Sequence, residues 1–212
     1  MKIRIWDLPT RLFHWALVLA VLGSFISADD DGGVLEWHAR FGYFILSLLL
    51  FRVIWGFAGS HYARFFNFIK SPKVVLSYLK NPTEVPGHNP LGALSVVALL
   101  GFLLLQAVTG LFASDDIAFE GPLAKYISSS LVELLTSVHR LNQSVLIAVV
   151  ALHIGAILYY RWMKKTDLIK PMVTGDKEWA EKIPVARDGF LLRLIALVIY
   201  LTVAGVLYYF LR

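Results

Sequence analysis

Five apolar stretches, each close to the length that crosses a lipid bilayer, constrain this chain more than any other feature. They run from Leu12 to Ala28, Ala39 to Ala58, Leu91 to Ala113, Val138 to Trp162 and Phe190 to Leu211. A hydrocarbon layer of about 30 Å, crossed at about 1.5 Å per residue, takes about 20 apolar residues in helical form. Backbone groups in that layer find no water to pair with, so each stretch is expected to be a helix. Composition agrees: 58% of the 212 residues are hydrophobic and the mean hydropathy is +0.66. The expected fold is an all-α, integral membrane helical bundle. The first stretch is short and follows a basic N-terminus, as a signal peptide would. No small-x-small cleavage site precedes a soluble domain and further spans follow, so it reads as a span.

The connecting segments alternate in charge. Lys2, Arg4 and Arg11 precede the first span; Arg64, Lys70, Lys73 and Lys80 follow the second; Arg161, Lys164, Lys165, Lys170, Lys177, Lys182 and Arg187 follow the fourth. The other two connections are mostly acidic, with Asp29, Asp30, Asp31 and Glu36 in one and Asp115, Asp116, Glu120 and Glu133, together with Lys125, in the other. Lys and Arg therefore mark one side. The positive-inside rule predicts a multi-pass membrane protein with its N-terminus inside, five crossings and its C-terminus outside. The formal charge of +5 is spread around the spans and forms no continuous basic stripe, so membrane lipid, not nucleic acid, is the expected partner. Phe66–Pro82 and the segment EGPLAKYISSSLVELL have the composition of interfacial amphipathic helices.

With no cysteine in the chain, disulfides, thiolate-held clusters and covalent haem attachment are all excluded. A metal cofactor would have to be held by His, carboxylate or Met. His14 falls near the inner end of the first span, His38 at the outer end of the second, and His139 and His153 both in the fourth. Fourteen residues are nearly four helical turns and about 21 Å, so His139 and His153 share a helix face at two depths. The topology pairs His38 with His139 at the outer level and His14 with His153 at the inner. Two imidazoles at equal depth suit haem, whose iron already has four ring nitrogens and needs two axial ligands. A zinc ion would require carboxylates or cysteines at these depths, and none is evident. Any one intramembrane histidine is readily explained as a hydrogen-bonded core residue, but four in two depth-matched pairs argue for ligation. His61 and His88 read as loop residues.

Arginines add to this pattern. Arg40 and Arg140 adjoin the outer histidines on the acidic side, where the charge rule gives them no role and haem propionates would. Arg52 lies fourteen residues after His38, on nearly the same face at the inner level, and a cation at that depth needs an anionic partner, whether a propionate or a quinone-site group. Arg11 is placed to act likewise, unless it is a snorkelling anchor. Gly42, one turn beyond His38, leaves room for a porphyrin.

The stretches WDLPTRLFHW, WHARFGY, FRVIWGFAGSHYARF, GHNPLGA and HRLNQSVLIAVVALH resemble the membrane cytochrome b family that includes bacterial cytochrome b561 and the b-type subunit of nickel-iron hydrogenases. QAVTGLFASDD and LIKPMVTG resemble its hydrogenase-type and formate-dehydrogenase-type members. The likeness covers residues 1–175 and implies a four-helix di-haem transmembrane domain. Residues 176–212 would then be a cytoplasmic linker and a fifth transmembrane helix beyond the minimal core. The resemblance implies two haems b, each with two histidine ligands: His14 and His153 for the inner iron, His38 and His139 for the outer.

Iron with both axial positions filled favours electron transfer over oxygen chemistry. The resemblance therefore implies transmembrane electron transfer between the quinone pool and a redox partner protein, such as a periplasmic cytochrome c or a hydrogenase-like subunit. It also allows a stand-alone superoxide:ubiquinone oxidoreductase, although the acidic outer loops steer superoxide poorly. A haem-free transporter or scaffold, with the histidines as proton relays, is the third class.

Overall fold

A computed structural model describes residues 1–28, 32–115, 117 and 119–211, with backbone only for 32–34. Asp29, Asp30, Asp31 and Asp116 of the acidic connections lie outside the described residues. Five helices are long and apolar enough to cross a membrane: α1 (Leu8–Ile26), α2 (Gly32–Ala58), α5 (Pro90–Gly110), α6 (Ser129–Trp162) and α8 (Phe190–Leu211). Three short helices, α3 (Phe65–Phe68), α4 (Pro72–Lys80) and α7 (Ile169–Thr174), and two short strands, β1 (Lys2–Arg4) and β2 (Asp176–Glu178), join them. The protein is an all-α membrane bundle. Large side chains such as Leu19, Leu152 and Tyr209 stand exposed along the spans; in water such a surface would aggregate, whereas in lipid it meets acyl chains.

Polar residues set the helix boundaries where hydropathy alone does not. α1 starts at Leu8, four residues before the apolar stretch, because Asp7 caps it: the Thr10 amide donates to Asp7 Oδ1 at 2.7 Å, and Pro9 suits the first turn, whose N–H groups have no helical partner. α6 starts at Ser129, where the amides of Leu131 and Val132 donate to the Ser128 carbonyl, both at 3.0 Å. Its 34 residues extend to about 51 Å, well beyond the hydrocarbon layer. The SSSLVELL segment is thus the start of a membrane helix and not a separate interfacial one; a single 3₁₀ turn, Ala124–Tyr126, precedes it. The other expected interfacial helix is split. Pro72 holds Ser71 in an extended conformation (φ −65°, ψ 154°), separating α3 from α4.

The chain forms two compact units. One comprises Met1–Phe13, Arg52–Leu99 and Val149–Val198; the other comprises His14–Phe51, Leu100–Ala148 and Ile199–Arg212. In the first, β1 pairs antiparallel with β2, with Arg4 opposite Asp176. Gly175 closes α7 in the left-handed region (φ 88°), a conformation that a side chain would strain. Its carbonyl receives the amides of Ile5 at 2.8 Å and Trp6 at 3.1 Å. Ile3, Ile5, Trp6, Tyr62 and Ala186 form a small core beneath this sheet, with Met172, Trp179 and Ile183 packed against it. The connection before α8 is therefore a folded element. The second unit has its own core of Ala20, Ile45, Leu49, Leu103 and Leu146.

Asp188 ties the first unit together. Its carboxylate pairs with Arg4 Nη1 at 2.6 Å and Arg193 Nε at 3.0 Å and accepts the Leu8 amide at 3.0 Å. Burial pushes this acid up, but hydrogen bonds from Arg193, Leu8 and Arg4 outweigh that and hold it below its ordinary value. A carboxylate so depressed stabilises the fold above its unfolded-state pKa and loses that contribution as pH falls through the folded value. Amide protection of residues 176–189 is expected to be pH-independent near neutrality and to fall selectively in acid below about pH 4. Asp188→Asn should lower protection at pH 7 and flatten the acid dependence, read by hydrogen exchange.

Candidate haem site

The second unit brings His38 and His139 together. Their ring centres are 6.2 Å apart with planes at 80°, and both rings are half-buried. The contact shows that α2 and α6 present these residues at the same level. Each ring is held through Nδ1: His38 donates to the Ser24 carbonyl at 2.9 Å and His139 to the Gln106 carbonyl at 2.9 Å. A carbonyl only accepts, so each Nδ1 carries a hydrogen, the arrangement whose neutral tautomer presents Nε2 to a metal. Metal-bound imidazoles are typically oriented this way.

Further polar groups lie around the two rings. Thr109 Oγ1 donates to the Leu105 carbonyl at 2.7 Å and lies 3.2 Å from His139 Nδ1. Ser24 Oγ lies 3.3 Å from His38 Nδ1. Asn142, one turn after His139 and buried, donates to the Phe102 carbonyl at 3.0 Å and to Gln106 Oε1 at 2.6 Å. Sequence reading singles out none of Ser24, Gln106, Thr109 or Asn142. Their signal was available: each is a polar residue in an apolar span.

A cavity of about 310 Å³ opens beside the pair, lined by both histidines with Gly42, Gln106, Gly110 and Arg140 among others. The residues fit a haem on three counts. A ring separation of 6.2 Å matches the span that one ion held by both imidazoles would need, taking about 2 Å for each metal–imidazole bond and about 1 Å from each nitrogen to its ring centre. The tautomers offer two Nε2 lone pairs. No atom lies within 4 Å of where a Gly42 Cβ would stand, so the cavity wall is bare of side chain there. Among the described residues no three His, Asp or Glu side chains gather. At Gly110 an added Cβ would stand 2.9 Å from His139 Cε1. Gly110→Ala should therefore displace the ring and broaden or shift the haem bands in a reduced-minus-oxidised spectrum, while Gly101→Ala, in open space on the same helix, leaves them unchanged.

The other candidates are placed as follows. His153 lies in the first unit, half-buried on α6, with Nδ1 3.2 Å from Ser95 Oγ on α5. His14 is the first residue of the second unit and meets the edge of the Trp15 ring at 5.0 Å. Arg140 lines the cavity, whereas Arg40 pairs with Glu36 on its own helix and lies over the Trp37 ring at 4.9 Å. Arg11 donates to the Val173 carbonyl at 2.7 Å and approaches Asp188 at 3.8 Å. Arg52 is 2% exposed, stands over the Phe65 ring at 4.9 Å, and has no hydrogen-bond partner at Nη1. The acid whose charge reaches it is Asp7, fully buried with the Trp55 indole 3.3 Å away.

The fold defines a multi-pass, all-α membrane protein with polar groups gathered round paired histidines. The profile of the prokaryotic cytochrome b561 family matches residues 5–175, and the chain belongs to that family. It is similar to the probable Ni/Fe-hydrogenase B-type cytochrome subunit of Azotobacter vinelandii, 26% identical over 219 residues, covering 85% of this chain and 90% of the relative. The protein of the same description from Cupriavidus necator is 24% identical over 210 residues, covering 81% of this chain and 85% of the relative. No solved structure gives a significant match. The chain is thus a b-type cytochrome that binds haem b and carries electrons in a membrane.

Proposed function

We propose that this cytochrome passes electrons between a membrane quinone and a hydrogenase-type redox partner, using two haems b. His38 and His139 hold the outer haem, and His14 and His153 the inner. The single observation that carries the reading is the outer pair: two imidazoles 6.2 Å apart, each with its Nδ1 hydrogen donated to a carbonyl. The inner pair rests on the topology and on the fourteen-residue spacing along α6, which puts His153 about 21 Å deeper than His139 on the same face. Bound haem supplies reversible one-electron exchange. The protein's part is to present Nε2 of each ring, to hold the rings against rotation through Ser24, Gln106 and Thr109, and to set Arg140 at the cavity wall where an anionic propionate would be neutralised.

The charge alternation supports a cytoplasmic N-terminus and a periplasmic C-terminus in the bacterial inner membrane. The partner is inferred from the relatives, which are named as hydrogenase cytochrome subunits. The test has two parts. A pyridine haemochrome assay on purified chain should return two haems b per chain; one haem would remove the inner pair from the proposal. Native membranes should yield a co-purifying hydrogenase, and hydrogen should then reduce the haem bands, with reoxidation on adding a short-chain quinone. Reduction by superoxide in the isolated chain, with none by hydrogen in the membranes, would reject the subunit reading.

A further inference from the structure

A second cavity lies where α2 ends and α8 begins, outside the redox site and wholly within the first unit. It is lined by Ser60, His61, Arg64 and Arg187 on its polar side and by Ala58, Val185 and Leu192 on its apolar side. Two spans terminate here, so the cavity sits at the boundary between hydrocarbon and headgroups. Ser60 is 3% exposed, yet among the described residues its hydroxyl has no hydrogen-bond partner. A buried hydroxyl without a partner costs stability unless something else satisfies it.

The two guanidinium groups point to what that is. Arg64 donates Nε to the Gly59 carbonyl at 2.8 Å, which fixes the guanidinium plane and leaves its terminal nitrogens for an anion. Arg187 adjoins Asp188, but that carboxylate is taken by Arg4, Arg193 and Arg11. Among the described residues neither Arg64 nor Arg187 forms an ion pair. Two cations, an unsatisfied buried hydroxyl and an apolar wall match a phosphate group with acyl chains beside it, and basic pockets at span ends bind anionic lipid headgroups on this principle. We infer that the cavity formed by Ser60, Arg64 and Arg187 binds a phosphate group, carried on an anionic lipid or present as the free ion.

The test is thermal unfolding of the full haem-loaded chain in detergent, titrated separately with phosphatidylglycerol, phosphatidylcholine and inorganic phosphate. Phosphatidylglycerol should raise the melting temperature of the wild type and phosphatidylcholine should not. Arg64→Gln with Arg187→Gln should weaken the phosphatidylglycerol response about twentyfold, taking about fivefold for each interfacial arginine. Ser60→Ala, which removes no charge, should weaken it about tenfold, as loss of a hydrogen bond to a charged group does. Lys73→Gln with Lys80→Gln, an equal charge change on exposed α4 residues, should alter it less than twofold. An unchanged haem spectrum verifies folding of each variant. If inorganic phosphate protects as well as the lipid and with the same dependence on Arg64 and Arg187, the ligand is the free ion. The inference is overturned if Ser60→Ala responds like wild type, or if the lysine pair matters as much as the arginine pair.

Discussion

His139→Ala is expected to halve the haem content of the purified protein, from two haems b per chain to one, read by pyridine haemochrome. On the proposed ligation, the substitution removes one of the two imidazoles that would hold the outer haem. Its partner His38, held by the Ser24 carbonyl at 2.9 Å, would have to retain the outer haem alone, and no other imidazole adjoins that ring among the described contacts. His153→Ala should likewise leave one haem, but the surviving one should differ in band position and midpoint potential, because the two haems would be surrounded by different dipoles. Asn142→Leu should keep both haems and shift only the outer potential, since Asn142 holds the side chain of Gln106, whose backbone carbonyl accepts from His139, and outer-shell hydrogen bonds tune the metal instead of holding it. Full haem content in His139→Ala would reject the outer ligand pair.

The second large effect is expected at Asp7. Replacing it with alanine removes the cap of α1, the acceptor 3.3 Å from the Trp55 indole and the carboxylate whose charge reaches buried Arg52. Losing the cap costs about 1 kcal/mol, and an uncompensated buried cation about 3 kcal/mol or more. These contributions are coupled and do not add fully, so a net loss of about 4 kcal/mol is expected. For a chain of this size that is about 8–16 °C in melting temperature, measured in detergent by intrinsic fluorescence. Asp7→Asn separates the parts, because it keeps the cap and the acceptor but not the charge. If Arg52 is balanced by a bound anionic group and not by Asp7, the asparagine variant should melt within 1–2 °C of wild type, roughly the effect of a neutral surface change.

Much of this architecture was legible from hydropathy alone, because lipid leaves the backbone a single way to satisfy its hydrogen bonds. The last span, Phe190–Leu211, is the same in both readings. The boundaries that shifted did so for local backbone and capping reasons that a hydropathy average does not register. Asp7 starts α1 early through a cap, Ser128 starts α6 well before Val138, and Pro72 divides the segment expected to be one amphipathic helix. The connection 176–189 looked like a linker because its apolar residues are scattered. Only the pairing of β1 with β2 shows that Ile183 and Ala186 belong to a core shared with Ile3 and Trp6.

The candidate site divides along the same line. Depth along a helix follows from counting residues, so the approach of His38 and His139 could be anticipated from topology. What fills the space around them could not. Arg40 and Arg140 look equivalent in sequence, one beside each outer histidine, yet Arg140 lines the cavity and Arg40 pairs with Glu36. Arg11, a candidate propionate partner, instead joins the Asp188 cluster. The number of spans and the level of each histidine are one-dimensional properties, set by helix rise and the thickness of the bilayer. The tautomer of each ring and the partner of each arginine depend on which helix faces which, and that rotation is settled only when side chains from distant parts of the chain pack together.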